Sequence, residues 1–99
     1  MNLVIHAVNF DADIKLRDHI QNKLEKLTTF YDNIIESEVF LKVDSNQSIK
    51  DKIVEMKIHI PGKTIFVSET TKSFEESIDL GLDTMARQIK KEKEKLRAY

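Results

Sequence analysis

Arg87, Lys91 and Lys95 stand four residues apart near the end of a 99-residue chain, and Lys93 and Arg97 repeat that interval. On a helix, four-residue spacing puts side chains on one face, so these residues form rows of like charge. Each such pair costs roughly 0.2–0.5 kcal/mol. Glu92 and Glu94 offset only part of that cost. A polyanion laid along the face turns repulsion into attraction, so the chemistry these residues suggest is phosphate binding. The bland alternative is a solvated helix end, where cations are favoured by the helix dipole.

No other set of residues makes as clear a case. His6, His19 and His59 are the three histidines, and none has a ligand-type residue two or four positions further on, so spacing gives no metal site. His6 and His59 fall on the less apolar sheet face, and His19 on the polar side of a helix; all three read as half-exposed surface residues. Glu75 and Glu76 are neighbours in a first helical turn. They point in different directions and suit the dipole there, so they read as cap residues. Two glycines, Gly62 and Gly81, are too few for a phosphate-cradling loop. With no cysteine, disulfides and thiolate metal sites are excluded. Phe40, Phe66, Lys42, Lys57 and His59 share the open sheet face. Aromatics among cations suit base stacking, but the element order differs from RNA-recognition sheets. Phe40 and Phe66 are instead expected to cover each other on adjacent strands.

The elements that position these residues follow from hydrophobic period. Residues 2–8 alternate as a strand. Asp11 or Asp13 caps a helix whose stripe is Leu16, Ile20, Leu24, Leu27 and Tyr31, running to about residue 30. Its polar face holds Lys15, His19, Lys23 and Lys26, with Arg17 at the edge of the stripe. Residues 38–44 alternate, 44–52 are polar and read as a hairpin loop, and 54–60 alternate again. Pro61-Gly62 marks a turn before a fourth strand over 65–69. Ser73 with Glu76 matches a capping box. Phe74, Ile78, Leu82, Met85, Ile89 and Leu96 then share one helix face, and Gly81 beside them allows close approach to a sheet. A helix over 74–97 is roughly 36 Å long, enough for its basic end to project beyond the sheet.

The order β-α-β-β-β-α, with one apolar face per element, implies an α+β fold. We expect a four-stranded mixed sheet with two helices packed on one face, strands one and two parallel, and the rest an antiparallel meander. No linker or repeat divides residues 1–99, which read as a single domain. Apolar residues at 40% supply a core, and charged residues at 33% a solvated surface. No apolar run approaches the ~20 residues of a membrane span, and the N-terminus lacks the form of a signal peptide. Residues 87–97 carry a balance of +4 against −5 for residues 1–86, within a net charge of −1. An acidic body with a basic end suits an anionic partner.

The segment MARQIKKEKEKLR, residues 85–97, resembles the closing helix of the ribosome hibernation-promoting factor and ribosome-associated inhibitor family, with its Arg-Gln pair followed by lysines at alternate positions. Leu16-Arg17, Lys23-Leu24 and Lys26-Leu27 resemble that family's first helix. Val39, Leu41, Lys42 and Val43 resemble its second strand, and Ile78-Asp79 the middle of its last helix. The resemblance implies the same β-α-β-β-β-α fold, related in layout to double-stranded RNA-binding domains. It implies a cytoplasmic protein, not an enzyme and without a cofactor or small-molecule substrate. Such a protein binds ribosomal RNA of the small subunit between head and body, in the path of messenger and transfer RNA, and inhibits translation in stationary phase or stress. In that picture Arg17, Lys23, Lys26, Arg87, Lys91, Lys93 and Lys95 meet rRNA phosphates, and charge adds Lys90 and Arg97. Thr84 and Asn33 stand where family members often carry cations, and Glu92 where histidine is frequent. The chain ends after the basic helix, so a short form, monomeric when free, is expected. If roughly six phosphates are neutralised, affinity falls by about 10³ or more between low and moderate salt. The competing reading from another class is a protein–protein module whose basic helix docks an acidic partner.

Overall fold

The computed structural model describes residues 2–29, 31, 33–44 and 51–97. Their elements are β1 (Asn2–Ala7), α1 (Ile14–Leu27), β2 (Glu36–Asp44), β3 (Asp51–Ile60), β4 (Lys63–Thr71) and α2 (Phe74–Arg97). The sheet order is β1-β2-β3-β4. β1 and β2 are parallel, and the other two pairings are antiparallel. This is the mixed α+β sheet that the hydrophobic periods imply. The hairpin loop expected between β2 and β3 falls mainly on residues 45–50, which lie outside the described residues.

Alternation sends one side chain in two to the core face of the sheet. Val39 and Leu41 of β2, Val54, Met56 and Ile58 of β3, and Ile65 and Val67 of β4 are buried there. The stripes of both helices meet them: Leu16, Ile20, Leu24 and Leu27 from α1, and Phe74, Ile78, Leu82, Met85 and Ile89 from α2. Gly81 marks a close approach. A Cβ at that position would run into the terminal methyl of Met56, so glycine is what lets α2 lie against β3. At the β3–β4 turn Gly62 adopts φ +79°, a conformation other residues rarely take.

The helix ends are set by local hydrogen bonds. Asp13, not Asp11, caps α1, accepting from the Leu16 N–H at 2.8 Å. α1 stops at Leu27, earlier than the stripe suggests. The hydroxyls of Thr28 and Thr29 donate to the carbonyls of Glu25 and Lys26 at 2.5 and 2.6 Å, closing the last turn. Tyr31 still reaches the core at 6% exposure. At α2, Ser73 accepts from the Glu76 N–H at 3.1 Å, but the other arm of the capping box is absent. The Ser73 N–H donates instead to Thr71 Oγ1 at 3.3 Å.

Candidate nucleic-acid interface

Of the nine cations singled out in the sequence, the eight whose side chains are described do not share one surface. Lys23 and Lys26 line a cleft between the helices, facing Asp79, Leu82, Asp83 and Ala86 of α2. Arg17 is nine residues from Lys26, two and a half turns, and so lies on the opposite side of α1. It lines a separate cleft with Leu3 and Ile5 of β1, and its Nε donates to the Ala12 carbonyl at 3.2 Å. The upper part of the inter-helix cleft is already neutralised. Asp79 Oδ1 lies 3.1 Å from His19 Nε2 and 3.7 Å from Lys23 Nζ. Lys26, one turn further along, is exposed and makes no ion pair among the described residues.

On α2 the cations separate into held and open groups. Glu92 gathers Lys63 of β4 at 2.7 Å and Lys95 at 3.4 Å. The hydrogen bond from Lys63 holds the Glu92 carboxyl below its ordinary range against some desolvation, and the charges of Lys63 and Lys95 add to it. The row Arg87–Lys91–Lys95 is therefore interrupted at its third member. Lys93 Nζ sits 5.8 Å from the centre of the Tyr31 ring, just beyond the end of α1. Arg87, Lys90 and Lys91 are exposed and make no ion pair among the described residues. Arg87 donates to Thr84 Oγ1 at 3.3 Å. Arg97 closes α2, and its side chain lies outside the described residues.

Helix geometry joins the open group together. Lys90 follows Ala86 and Asp83 on the same side of α2, four and seven residues on, so the inter-helix cleft leads from Lys26 toward Lys90. Arg87 and Lys91 lie on the outward face next to it. Ile89 is the last buried residue among the α2 side chains described. The eight residues after it carry the helix roughly 12 Å further. The result is a rod end with cations facing solvent, suited to lie along a phosphate backbone.

The opposite face of the sheet differs from its expected form. Phe40 is on β2 and Phe66 on β4, and β3 runs between them, so they do not cover each other. The meander order is the reason. Phe40 instead stacks on His6, with ring centres 4.6 Å apart and planes at 12°. Lys57 Nζ lies 5.6 Å from the Phe40 ring. Phe66, paired across from Lys57, stays 54% exposed. The same face holds a group that residue spacing did not reveal. His59 Nε2 donates to Glu38 Oε1 at 3.1 Å, His59 Nδ1 lies 3.0 Å from Thr64 Oγ1, and His6 Nε2 is 3.7 Å from Glu38 Oε2. The His59 hydrogen bond holds the Glu38 carboxyl below its ordinary range, opposed by desolvation and aided by the charges of His59, Lys57 and His6. These side chains are 27–44% exposed on an open face, not sunk in a pocket. Strand register is the signal that brings them together.

Residues 3–97 match the family described as Sigma 54 modulation protein / S30EA ribosomal protein. The chain belongs to this family. Members of the S30EA family act by binding and not by catalysis. A ribosome hibernation promotion factor from Picosynechococcus sp. is 34% identical over 97 residues, covering 96% of this chain and 50% of that protein. A ribosome hibernation promoting factor from Klebsiella oxytoca is 31% identical over 99 residues, covering 100% of both. The chain thus spans half the length of the first relative and all of the second. Among solved structures, a ribosomal subunit interface protein from Coxiella burnetii has a TM-score of 0.85 at 22% identity, over 94% of this chain and 98% of that one. The N-terminal domain of Protein Y from Thermus thermophilus has a TM-score of 0.80 at 23% identity, over 92% and 98%. These two show that the fold is shared.

Proposed function

We propose that this chain is a ribosome hibernation factor of the cytoplasm, which binds small-subunit ribosomal RNA in the channel for messenger and transfer RNA. It inhibits translation there in stationary phase or stress, by occupying the path. The observation that carries the reading is the group Lys26, Arg87, Lys90 and Lys91, exposed and without ion-pair partners among the described residues. The names of its relatives from Klebsiella oxytoca and Picosynechococcus sp. support the ribosome as target. Affinity comes from phosphate contacts and released counterions, and A-form shape matters more than base sequence. The free protein is monomeric.

The test is sedimentation of the purified chain with isolated small subunits in a sucrose gradient, with translation of a reporter messenger measured in parallel. The chain is expected to travel with small subunits at low salt, to leave them at high salt, and to inhibit translation as it binds. Stable capture by an acidic protein that persists after complete RNA digestion, with none on small subunits, would overturn the reading in favour of a protein-docking module.

A further inference from the structure

Away from the helices, strand register assembles a compact set of ligand atoms on the open sheet face. Glu36 and Glu38 are two residues apart on β2, so alternation points both to the same face. His59 of β3 is the register partner of Glu36. One carboxylate oxygen from each glutamate and one ring nitrogen of His59 all lie within 4.8 Å of one another. All three side chains are half-buried on strands paired on both sides, so the backbone beneath them is rigid.

We propose that Glu36, Glu38 and His59 form a binding site for a divalent first-row transition-metal ion, with zinc as its type. One imidazole nitrogen with two carboxylate oxygens suits such ions better than calcium or magnesium, which take oxygen ligands. Zinc holds imidazole nitrogen at about 2.0–2.1 Å and carboxylate oxygen at about 2.0–2.2 Å. Ligand atoms around it therefore sit roughly 3–4 Å apart. The observed spread contracts to that by side-chain adjustment alone, leaving a coordination position for water.

The surroundings suit a ligand histidine. In the metal-free ring Nε2 donates to Glu38. When the ion takes Nε2, the ring proton moves by way of solvent to Nδ1, where Thr64 Oγ1, 3.0 Å away, accepts it. His6, stacked on Phe40, stands by the second oxygen of Glu38 and fixes that carboxylate's orientation. The site faces away from both helices, so it does not depend on the RNA-binding reading.

The test is calorimetric titration of zinc chloride into the untagged, EDTA-treated chain in a non-chelating buffer. Wild type is expected to bind one zinc per chain saturably. Glu38→Gln and His59→Gln lose that binding, Thr64→Val weakens it roughly 10–100-fold, and His19→Gln leaves it unchanged. No saturable binding by wild type, or wild-type binding in folded Glu38→Gln and His59→Gln, overturns the proposal. NMR of the wild-type histidine rings serves if a variant fails to fold. Zinc should move the His59 resonances and leave those of His19 in place, and the reverse pattern overturns it.

Discussion

Replacing Arg87, Lys90 and Lys91 together by glutamine should nearly abolish the salt dependence of small-subunit binding. Each phosphate neutralised adds about 0.7–0.9 to the slope of log affinity against log salt. Of the candidate cations on the two helices whose side chains are described, Lys23 is shared with Asp79, Lys95 with Glu92, and Lys93 leans on Tyr31. On α1 Arg17 faces away from the cleft, which leaves Lys26, Arg87, Lys90 and Lys91. Four contacts give a slope of about 3, so affinity falls roughly 50–150-fold between 50 and 200 mM potassium chloride. That is well below the about 10³ that six contacts would give. The triple variant keeps only Lys26 and should lose about 3-fold over the same range. All three residues are exposed, so folding should change little. The assay is fluorescence anisotropy of labelled protein with small subunits at fixed magnesium, with a thermal melt as control. A folded triple variant that keeps the wild-type slope would refute the reasoning.

Other consequences follow from single contacts. Glu92→Gln should tighten small-subunit binding and steepen the salt slope, because it releases Lys63 and Lys95; weaker binding by a folded variant would contradict this. The Glu92 carboxyl is held below its ordinary range, so its stabilisation is complete above the unfolded-state value near about 4.3 and is lost as pH falls through the folded-state value. Urea melts of wild type should therefore weaken more between pH 6 and pH 3 than those of Glu92→Gln. Ser77 is fully buried and its hydroxyl donates to the Lys52 carbonyl at 3.0 Å, so Ser77→Ala should cost about 1–3 kcal/mol, seen as a lower urea midpoint. Gly81→Ala gains up to about 1 kcal/mol of helix propensity but displaces the buried end of Met56, at about 1–3 kcal/mol. A fall in Tm of a few degrees is expected, and a rise would show that Met56 yields freely.

The framework was legible because the apolar periods are clean. Leu16, Ile20, Leu24 and Leu27 give α1, and Phe74 to Ile89 give α2, with Gly81 placed correctly at the close approach. The limits of the strands were harder to read. Ser37 continues the inward phase of β2 and is fully buried, but it is polar, so the apolar alternation begins only at Val39 and does not reach back to Glu36. Lys63, Thr64, Thr70 and Thr71 extend β4 through backbone pairing that leaves no apolar trace. The early stop of α1 depends on two threonine hydroxyls that the stripe does not register. For the site, a charge row was visible, but not which cations the fold would retain. Lys63–Glu92 and His19–Asp79 join residues 29 and 60 positions apart, and only tertiary packing sets such pairs. The same holds for Glu36, Glu38 and His59, which meet through register.

Photo-crosslinking with a benzophenone amino acid placed at one position tests the interface most directly. Placed at Lys91, on the outward face of α2, it should yield covalent adducts with small-subunit RNA. Placed at Phe66, on the exposed far side of the sheet, it should yield none. RNA adducts from position 66 with none from position 91, in protein bound to small subunits, would show that the helix face is not the surface that meets the ribosome.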